Sequence, residues 1–219
     1  MRRHLKGWED IMKPSIDYTL YLVTDRDLMT ADSIEKCVHD AILGGCTVVQ
    51  LREKTASSGE FFQTALKVRE ITARFGIPLI INDRADIALA VDADGLHIGQ
   101  SDLPYEVARR ILGDDKVIGV SAHTLEMAQL AANSGADYIG VGAMFATGTK
   151  ADANPTAVDE LIRIRKELRI PIVAIGGINK DNVSLLKDTG IDGIAVVSAV
   201  VSQQDPAEAA RELRTLFRR

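Results

Sequence analysis

The sequence has few cysteines and no long apolar run, and each shortage excludes a class of protein. Its two cysteines, Cys37 and Cys46, have no further Cys or His at ligand spacing, so there is no zinc signature. We interpret both as reduced, mostly buried thiols. No run approaches the roughly 18 apolar residues of a membrane span. The basic N-terminus, MRRHLKGWEDIMK, lacks the apolar core of a signal peptide. We therefore expect a soluble, cytoplasmic protein.

An excess of basic residues is also missing. The net charge is −5 and the isoelectric point is about 5.4, which argues against a surface for nucleic acid or anionic membranes. Phosphate ligands remain compatible with this charge, because they need only a few local cations and backbone N–H groups. Hydrophobic residues make up 46% of the chain, enough for one large core.

Short apolar runs rich in Val, Ile and Gly recur along the chain and are typical of strands buried on both faces of a parallel sheet. Eight such runs are present: TLYLVTD from 19, TVVQLRE from 47, PLIIND from 78, GLHIG from 95, VIGVSA from 117, YIGVGAMF from 138, PIVAIGG from 171 and GIAVVSA from 193. Similar endings such as VSAH and VSAV give weak support for internal repetition.

Amphipathic stretches separate these runs and predict helices. The longer ones are Asp32–Leu43, Phe61–Phe75, Ala157–Leu168 and Pro206–Phe217, and shorter ones follow Asp83, Leu103, His123 and Asn179. Asp32, Thr124 and Asn179 are the predicted N-cap residues.

Strand followed by helix, eight times, predicts an α/β protein. A linker rich in Ser, Gly and Pro is missing, which disfavours two domains. The first strand is followed by TDRDLMT rather than G-x-G-x-x-G, which disfavours a nucleotide-binding open sheet. We therefore predict a single (β/α)₈ TIM barrel over residues 18–219. Residues 1–17 are predicted to form an extension, a helix packed on the barrel.

In such barrels functional side chains gather where strands end. Gln50, Arg52 and Lys54 alternate and so share one face of the second strand. Buried cations need an anionic partner, and we favour a ligand over carboxylates. Asp83 and Asp102 follow the third and fourth strands. They form an oxygen set suited to Mg²⁺, or they pair with Arg52, Lys54 or Arg84.

The later strands end in small or hydroxylated residues. Gly176 and Gly177 after the seventh, and Val197 and Ser198 after the eighth, suit a phosphate held on backbone N–H groups, or simply tight turns. The loop GTKADANP after the sixth strand either closes over a ligand or is an ordinary surface loop.

Histidine chemistry has one candidate. His123 follows the fifth strand and either acts as an acid or base or orients its neighbours. His97 lies in an apolar run and is interpreted as a hydrogen-bonded interior residue, and His4 and His39 as surface residues.

The strand-end motifs together resemble the thiamine-phosphate synthase family. From about Tyr21 to Ser198 they follow that family's order: GGCTVVQLREK, IINDR, GLHIGQSD, GVSAHT, FATGTK, IGGI and VVSA. One departure is Ala143, which follows Gly142 where the family usually has proline, and it puts the geometry of the loop in doubt.

The resemblance implies a Mg²⁺-dependent transferase that joins a pyrimidine pyrophosphate to a thiazole phosphate, or its carboxylated tautomer, and releases pyrophosphate. Arg52, Lys54, Lys150 and Ser121 would be catalytic, and Asp83 and Asp102 would bind Mg²⁺. The pyrimidine substrate would contact Gln50, Arg52, Lys54, Asn82, Ser121 and Lys150. The thiazole phosphate would contact Thr147, Thr149, Gly177, Val197 and Ser198.

Two other functions remain open. A thiazole tautomerase of the same barrel family would use His123 as its acid or base, but would need neither Asp102 nor Lys150. A non-catalytic phosphate-binding regulator would keep Gly177 and Ser198 and lose the Mg²⁺ and pyrophosphate groups. The expected partners are small phosphorylated molecules, with no nucleic acid and no membrane. The sequence leaves the oligomeric state open, a homo-oligomer included.

Overall fold

Eight parallel strands close into a barrel in this computed structural model, which describes residue 13, residues 15–146 and residues 158–218. The strands follow the chain order, and the last pairs with the first, with Ala195 beside Tyr21. The α/β barrel predicted from the apolar runs is confirmed. The strands are β1 Leu20–Val23, β2 Val48–Leu51, β3 Leu79–Asn82, β4 Gly95–Ile98, β5 Val117–Ala122, β6 Tyr138–Val141, β7 Ile172–Ile175 and β8 Gly193–Val196.

Helices follow the strands and cover the outside of the barrel, as the amphipathic stretches predicted. Among the described residues, none of these helices is both long enough and apolar enough to cross a membrane. The α-helices are α1 Ile34–Leu43, α2 Ser58–Phe75, α3 Ala85–Ala90, α4 Tyr105–Leu112, α5 Leu125–Ser134, α6 Val158–Glu167, α7 Ser198–Val201 and α8 Pro206–Arg218, and a 3₁₀ helix spans Val183–Thr189.

The predicted helix starts are right once and wrong twice. Thr124 caps α5 as expected, because its Oγ1 accepts from a backbone N–H of the first turn. Asp32 was the wrong residue for α1. Ser33 is the N-cap, and its hydroxyl accepts from the backbone N–H of Lys36 at 3.1 Å.

Asn179 is not an N-cap either. The segment after β7 turns first and then forms the 3₁₀ helix, which begins at Val183 with Asn182 before it. The Asn182 carboxamide accepts from the backbone N–H of Asn179 at 2.9 Å and donates to the carbonyl of Gly177 at 2.9 Å. The amide side chains therefore stabilise the turn itself.

The interior of the barrel is filled by a separate cluster of buried side chains that forms the floor beneath the strand ends. Tyr138 dominates this cluster, and its ring needs a glycine opposite it. A Cβ at Gly119, the neighbouring residue on β5, would lie 2.0 Å from Tyr138 Cζ. The cluster consists of Tyr18, Tyr21, Val23, Val48, Ile80, Val117, Tyr138, Val173 and Ala195.

The opposite end of the barrel, where the strands begin, carries a repeated ion-pair motif. Asp94, Asp137 and Asp192 each directly precede a strand. Each carboxylate accepts a 2.8 Å hydrogen bond from the first residue, or the residue after it, of a neighbouring strand. Each also pairs with an arginine from an outer helix: Arg69 with Asp94 at 2.8 Å, Arg109 with Asp137 at 2.6 Å and Arg165 with Asp192 at 3.0 Å.

Most of the predicted N-terminal extension, residues 1–12 and 14, lies outside the described residues, so its helix remains a prediction. Lys13 is described, and its ammonium lies 2.5 Å from Asp137 Oδ1. This contact places Lys13 at the end of the barrel where the strands begin.

Candidate active site

A cavity of about 480 Å³ opens where the strands end. Its position is the one at which barrels of this kind build their binding sites. All the predicted site residues that the structure describes line it: Gln50, Arg52, Lys54, Asn82, Asp83, Asp102, Ser121, Gly177, Val197 and Ser198. The other three, Thr147, Thr149 and Lys150, lie outside the described residues.

Gln50 lies in β2, whereas Arg52 and Lys54 come just after the strand ends at Leu51. Both cations have carboxylate partners in this structure. Arg52 Nη1 lies 2.6 Å from Asp25 Oδ2, and Lys54 Nζ lies 2.5 Å from Asp83 Oδ2. The carboxylate alternative is therefore what the structure contains, although both cations also line the cavity. Lys54 remains 51% exposed, so its ammonium can reach a ligand in the opening. Arg52 is more enclosed, and its backbone N–H is held by Thr24 Oγ1 at 2.9 Å.

Two carboxylates face each other beside Lys54. Asp83 adopts a left-handed backbone, with φ of 62°, directly after β3. The pKa of Asp102 is raised, first by burial and then by the neighbouring Asp83 carboxylate, although a hydrogen bond from the Gly99 backbone opposes this. The bond from Gly99 N to Asp102 Oδ2 is 2.7 Å long. Two carboxylates in contact favour a cation between them.

This pair fits Mg²⁺ by its chemistry. Among the described residues, no group of three or more His, Cys, Asp or Glu side chains could hold a metal. Mg²⁺ commonly takes one or two protein carboxylates and completes its shell with water and substrate phosphate oxygens. Asp83 and Asp102 supply such a set, and a substrate in the cavity would supply the remainder.

The glycines after β7 form a tight turn that lines the cavity. Gly176 and Gly177 have φ of 98° and 66°, conformations that favour glycine. A Cβ on Gly176 would lie 2.6 Å from Ala143, so the tight turn by itself requires glycine. Both glycines also line the cavity beside Val197 and Ser198, where α7 begins.

His123 contacts the start of the loop after β6. Its Nδ1 bonds to the carbonyl oxygen of Gly142. The peptide bond between Gly142 and Ala143 is cis, at the position where the resemblance expected proline. This contact agrees with the interpretation that His123 orients its neighbours.

Polar side chains form a continuous hydrogen-bond chain across the floor of the cavity. Gln50 Nε2 bonds to the Tyr21 hydroxyl at 3.0 Å, and the Tyr21 and Tyr138 hydroxyls are 2.8 Å apart. The Tyr138 hydroxyl lies 2.9 Å from His97 Nδ1, and His97 Nε2 lies 3.0 Å from Ser121 Oγ. His97 is thus the hydrogen-bonded interior residue that the sequence predicted. Burial raises the pKa of both tyrosines well above the usual value, so both keep their protons.

The two cysteines lie away from the cavity and are buried, as predicted. Burial raises the pKa of the Cys37 thiol to about 11. Burial also raises the pKa of Cys46. Thiols of this kind are poor nucleophiles at neutral pH.

The chain resembles known proteins over most of its length. A family model described as thiamine monophosphate synthase matches residues 20–200. This chain belongs to that family. It is 56% identical over 206 residues to the thiamine-phosphate synthase of Clostridium beijerinckii, a match that covers 94% of this chain and 99% of that one. It is 58% identical over 206 residues to the one from Ruminiclostridium cellulolyticum, covering 94% and 98%.

One solved structure agrees with the family assignment, and a second shares the fold. Thiamine phosphate pyrophosphorylase from Pyrococcus furiosus superposes with a TM-score of 0.86 at 41% identity, over 92% of this chain and 96% of that chain. A geranylgeranylglyceryl phosphate synthase from Thermoplasma acidophilum superposes with a TM-score of 0.69 at 15% identity, over 91% of this chain and 93% of that chain. The latter likeness concerns the fold alone.

Three residues of the site were not predicted from the sequence. Asp25 pairs with Arg52, and its position at the end of TLYLVTD was a usable signal. Tyr21 and Tyr138 were read only as parts of apolar runs. Their hydroxyls meet inside the barrel although 117 positions separate them in the chain, and no local pattern predicts such a contact.

Proposed function

We propose that this protein is a thiamine-phosphate synthase. It would join 4-amino-5-hydroxymethyl-2-methylpyrimidine pyrophosphate to 4-methyl-5-(2-phosphoethyl)thiazole, or the carboxylated tautomer, to give thiamine phosphate and pyrophosphate. The carboxylated substrate would also release CO₂. The observation that carries the proposal is the gathering of Arg52, Lys54, Asp83 and Asp102 at one cavity, in a chain whose relatives bear that name. Cytoplasmic location remains a prediction, and the oligomeric state remains open.

The reaction needs charge stabilisation more than a protein nucleophile. The bond between the pyrimidine methyl carbon and the pyrophosphate oxygen breaks, and its electron pair leaves with pyrophosphate. The thiazole nitrogen then donates its lone pair to that carbon. Arg52 and Lys54 stabilise the negative charge that develops on the leaving group, and Asp25 keeps the Arg52 guanidinium in place.

Asp83 and Asp102 would hold Mg²⁺ in this proposal. When bound, the metal neutralises charge on the pyrophosphate. The protein's own contribution is to fix both carboxylates: Asp102 by the Gly99 backbone N–H and Asp83 by the left-handed turn after β3. A cation would relieve their mutual repulsion, so the pair would favour a bound metal.

The remaining residues would position the two substrates. Orientation matters because the attacking nitrogen has to reach a short-lived electrophile before water does. Gln50, Asn82, Ser121 and Lys150 would contact the pyrimidine substrate. Thr147, Thr149, Gly177, Val197 and Ser198 would hold the thiazole phosphate.

A substrate-omission assay tests the proposal. Purified protein is given both substrates, each alone, or both with a chelator, and pyrophosphate and thiamine phosphate are measured. We expect both products only when both substrates and Mg²⁺ are present. Interconversion of the carboxylated thiazole tautomers, lost in His123→Gln and without pyrophosphate release, would instead identify a tautomerase. Binding of the thiazole phosphate with neither activity would identify a regulator.

A further inference from the structure

The hydrogen-bond chain on the cavity floor has a direction, and Gln50 sets it. A carboxamide nitrogen is only a donor, so the Tyr21 hydroxyl oxygen accepts from Gln50 Nε2. A tyrosine hydroxyl has one hydrogen to donate. That of Tyr21 therefore goes to the Tyr138 oxygen, 2.8 Å away.

The donors and acceptors from Tyr138 to Ser121 follow in the same way. With its oxygen already accepting, Tyr138 donates its hydrogen to His97 Nδ1 at 2.9 Å. A neutral imidazole with an accepting Nδ1 carries its hydrogen on Nε2. That hydrogen points to Ser121 Oγ at 3.0 Å, and the Ser121 hydroxyl hydrogen is left to face the cavity that Ser121 lines.

We propose that Gln50, Tyr21 and Tyr138 are positioning residues that hold His97 as its Nε2–H tautomer, so that the Ser121 hydroxyl donates a hydrogen bond to the bound pyrimidine pyrophosphate. The role assigned to Ser121 rests on the proposed function, whereas the tautomer of His97 does not. The acceptor on the substrate is an atom with a free lone pair, either a phosphate oxygen or a ring nitrogen.

The opposite direction would present the wrong group to this ligand. Ser121 would then donate to His97 and turn oxygen lone pairs toward an anion that Arg52 and Lys54 attract. Lone pairs facing an anion repel it, whereas a hydroxyl hydrogen adds a donor to the two cations.

Packing inside the barrel holds this chain of hydrogen bonds in place. Tyr21 and Tyr138 are both only 1% exposed, so water does not compete for their hydroxyls. Glycines make room for the rings. A Cβ at Gly119 would collide with Tyr138, and one at Gly140 would lie 3.1 Å from His97 Cε1. Since both tyrosines stay protonated, neither loses the hydrogen that sets the direction.

Nitrogen NMR of the free protein tests the tautomer directly. Ring-¹⁵N histidine is incorporated, the spectrum is recorded at about pH 8, where an ordinary histidine is neutral, and His97 is assigned by its absence in His97→Gln. We expect a protonated Nε2 and an unprotonated Nδ1. A hydrogen on Nδ1 would overturn the proposal.

Two variants show whether the tyrosines set this state. Tyr138→Phe removes the hydroxyl and keeps the ring, and we expect the His97 signals to move toward a mixture of tautomers. Tyr18→Phe is the matched control, because Tyr18 packs 4.9 Å from Tyr138 between ring centroids but takes no part in the chain. Tyr21→Phe interrupts the hydrogen-bond chain at a second position. It keeps the test valid if the Tyr138 variant folds poorly. An unchanged His97 tautomer in both chain variants would refute the positioning role.

Kinetics test the consequence at Ser121. We expect Tyr138→Phe to lower kcat/KM about five- to tenfold, the effect of one lost hydrogen bond, and Tyr18→Phe to leave it unchanged. In a Ser121→Ala background, Tyr138→Phe should change kcat/KM less than about twofold, because the two act through the same contact. Full additivity would refute the link. An inactive wild type would refute the proposed function, while the tautomer would still decide the direction of the chain.

Discussion

The two ends of the barrel use aspartate in opposite ways. Where the strands begin, Asp94, Asp137 and Asp192 each accept a backbone N–H and pair with an arginine. Where the strands end, Asp83 and Asp102 lie against each other, and burial with like charge raises the pKa of Asp102. At one end the protein pairs each carboxylate with an arginine, whereas at the other end it places two carboxylates together. In our proposal a bound cation relieves their repulsion.

This difference separates stability from function within one fold. The carboxylates at the strand starts tie neighbouring strands to outer helices, which stabilises the closed barrel. The carboxylates at the strand ends cost stability in the free protein, because like charges repel. Such a cost is expected where a site is prepared for charge that arrives with the substrate.

Among the aspartate substitutions, the largest effect should follow from Asp102→Asn. We expect turnover to fall about 100-fold, the scale of losing one electrostatic group in a preorganised site. The thermal midpoint of the metal-free protein should rise, because the repulsion with Asp83 is removed. Differential scanning fluorimetry and the pyrophosphate assay measure the two effects. Asp114→Asn, at an exposed loop position, is the control. A variant that keeps full activity, or that melts earlier, would contradict this account.

Asp137→Asn should lower stability and leave activity almost unchanged, the reverse of Asp102→Asn. The substitution removes the charge that pairs with Arg109 at 2.6 Å and Lys13 at 2.5 Å. We expect about 2 kcal/mol less free energy of unfolding, below the loss for a fully buried pair because Asp137 is partly exposed. Urea denaturation measures this loss. The value of kcat/KM should stay within about twofold of wild type, since the residue lies far from the cavity. Lost activity with unchanged stability would break the comparison.

The smallest effect is expected at Asp25, a carboxylate at the strand ends that already has a cation partner, Arg52. Asp25→Asn keeps a hydrogen-bond acceptor near Arg52 but removes the charge 2.6 Å from its guanidinium. We expect kcat/KM for the pyrimidine substrate to fall about tenfold, because a less fixed guanidinium meets the pyrophosphate less often in the right geometry. Steady-state kinetics beside the exposed Asp27→Asn control check this. Equal values for both variants would show that Arg52 needs no positioning partner.

The sequence predicts the barrel well because its signals are local. Apolar runs predict β1 to β8, and the amphipathic stretches between them predict the helices. The errors lie at helix starts, because a single side chain determines which residue is the N-cap. In α1 the N-cap is Ser33 rather than the predicted Asp32. The capping box of Ser57 and Glu60 likewise starts α2 before the predicted Phe61.

The site is predictable only in part. Polar residues at strand ends identify Gln50, Arg52, Lys54, Asp83 and Asp102, because all strand ends of a parallel barrel meet at one opening. Contacts between residues on different strands across the barrel produce no local sequence pattern. The contact between Tyr21 and Tyr138 depends on closure of the barrel and on the space left by glycine in β5.

Substitution of Lys54 tests most directly whether the opening at the strand ends carries out pyrophosphate chemistry. Pyrophosphate release is measured with both substrates and Mg²⁺ for wild type, Lys54→Ala and Lys67→Ala. Lys67 is the matched control, an exposed lysine that pairs with Glu35 on the outer surface. We predict that release falls at least about 100-fold in Lys54→Ala alone. Equal release by all three proteins would contradict the account.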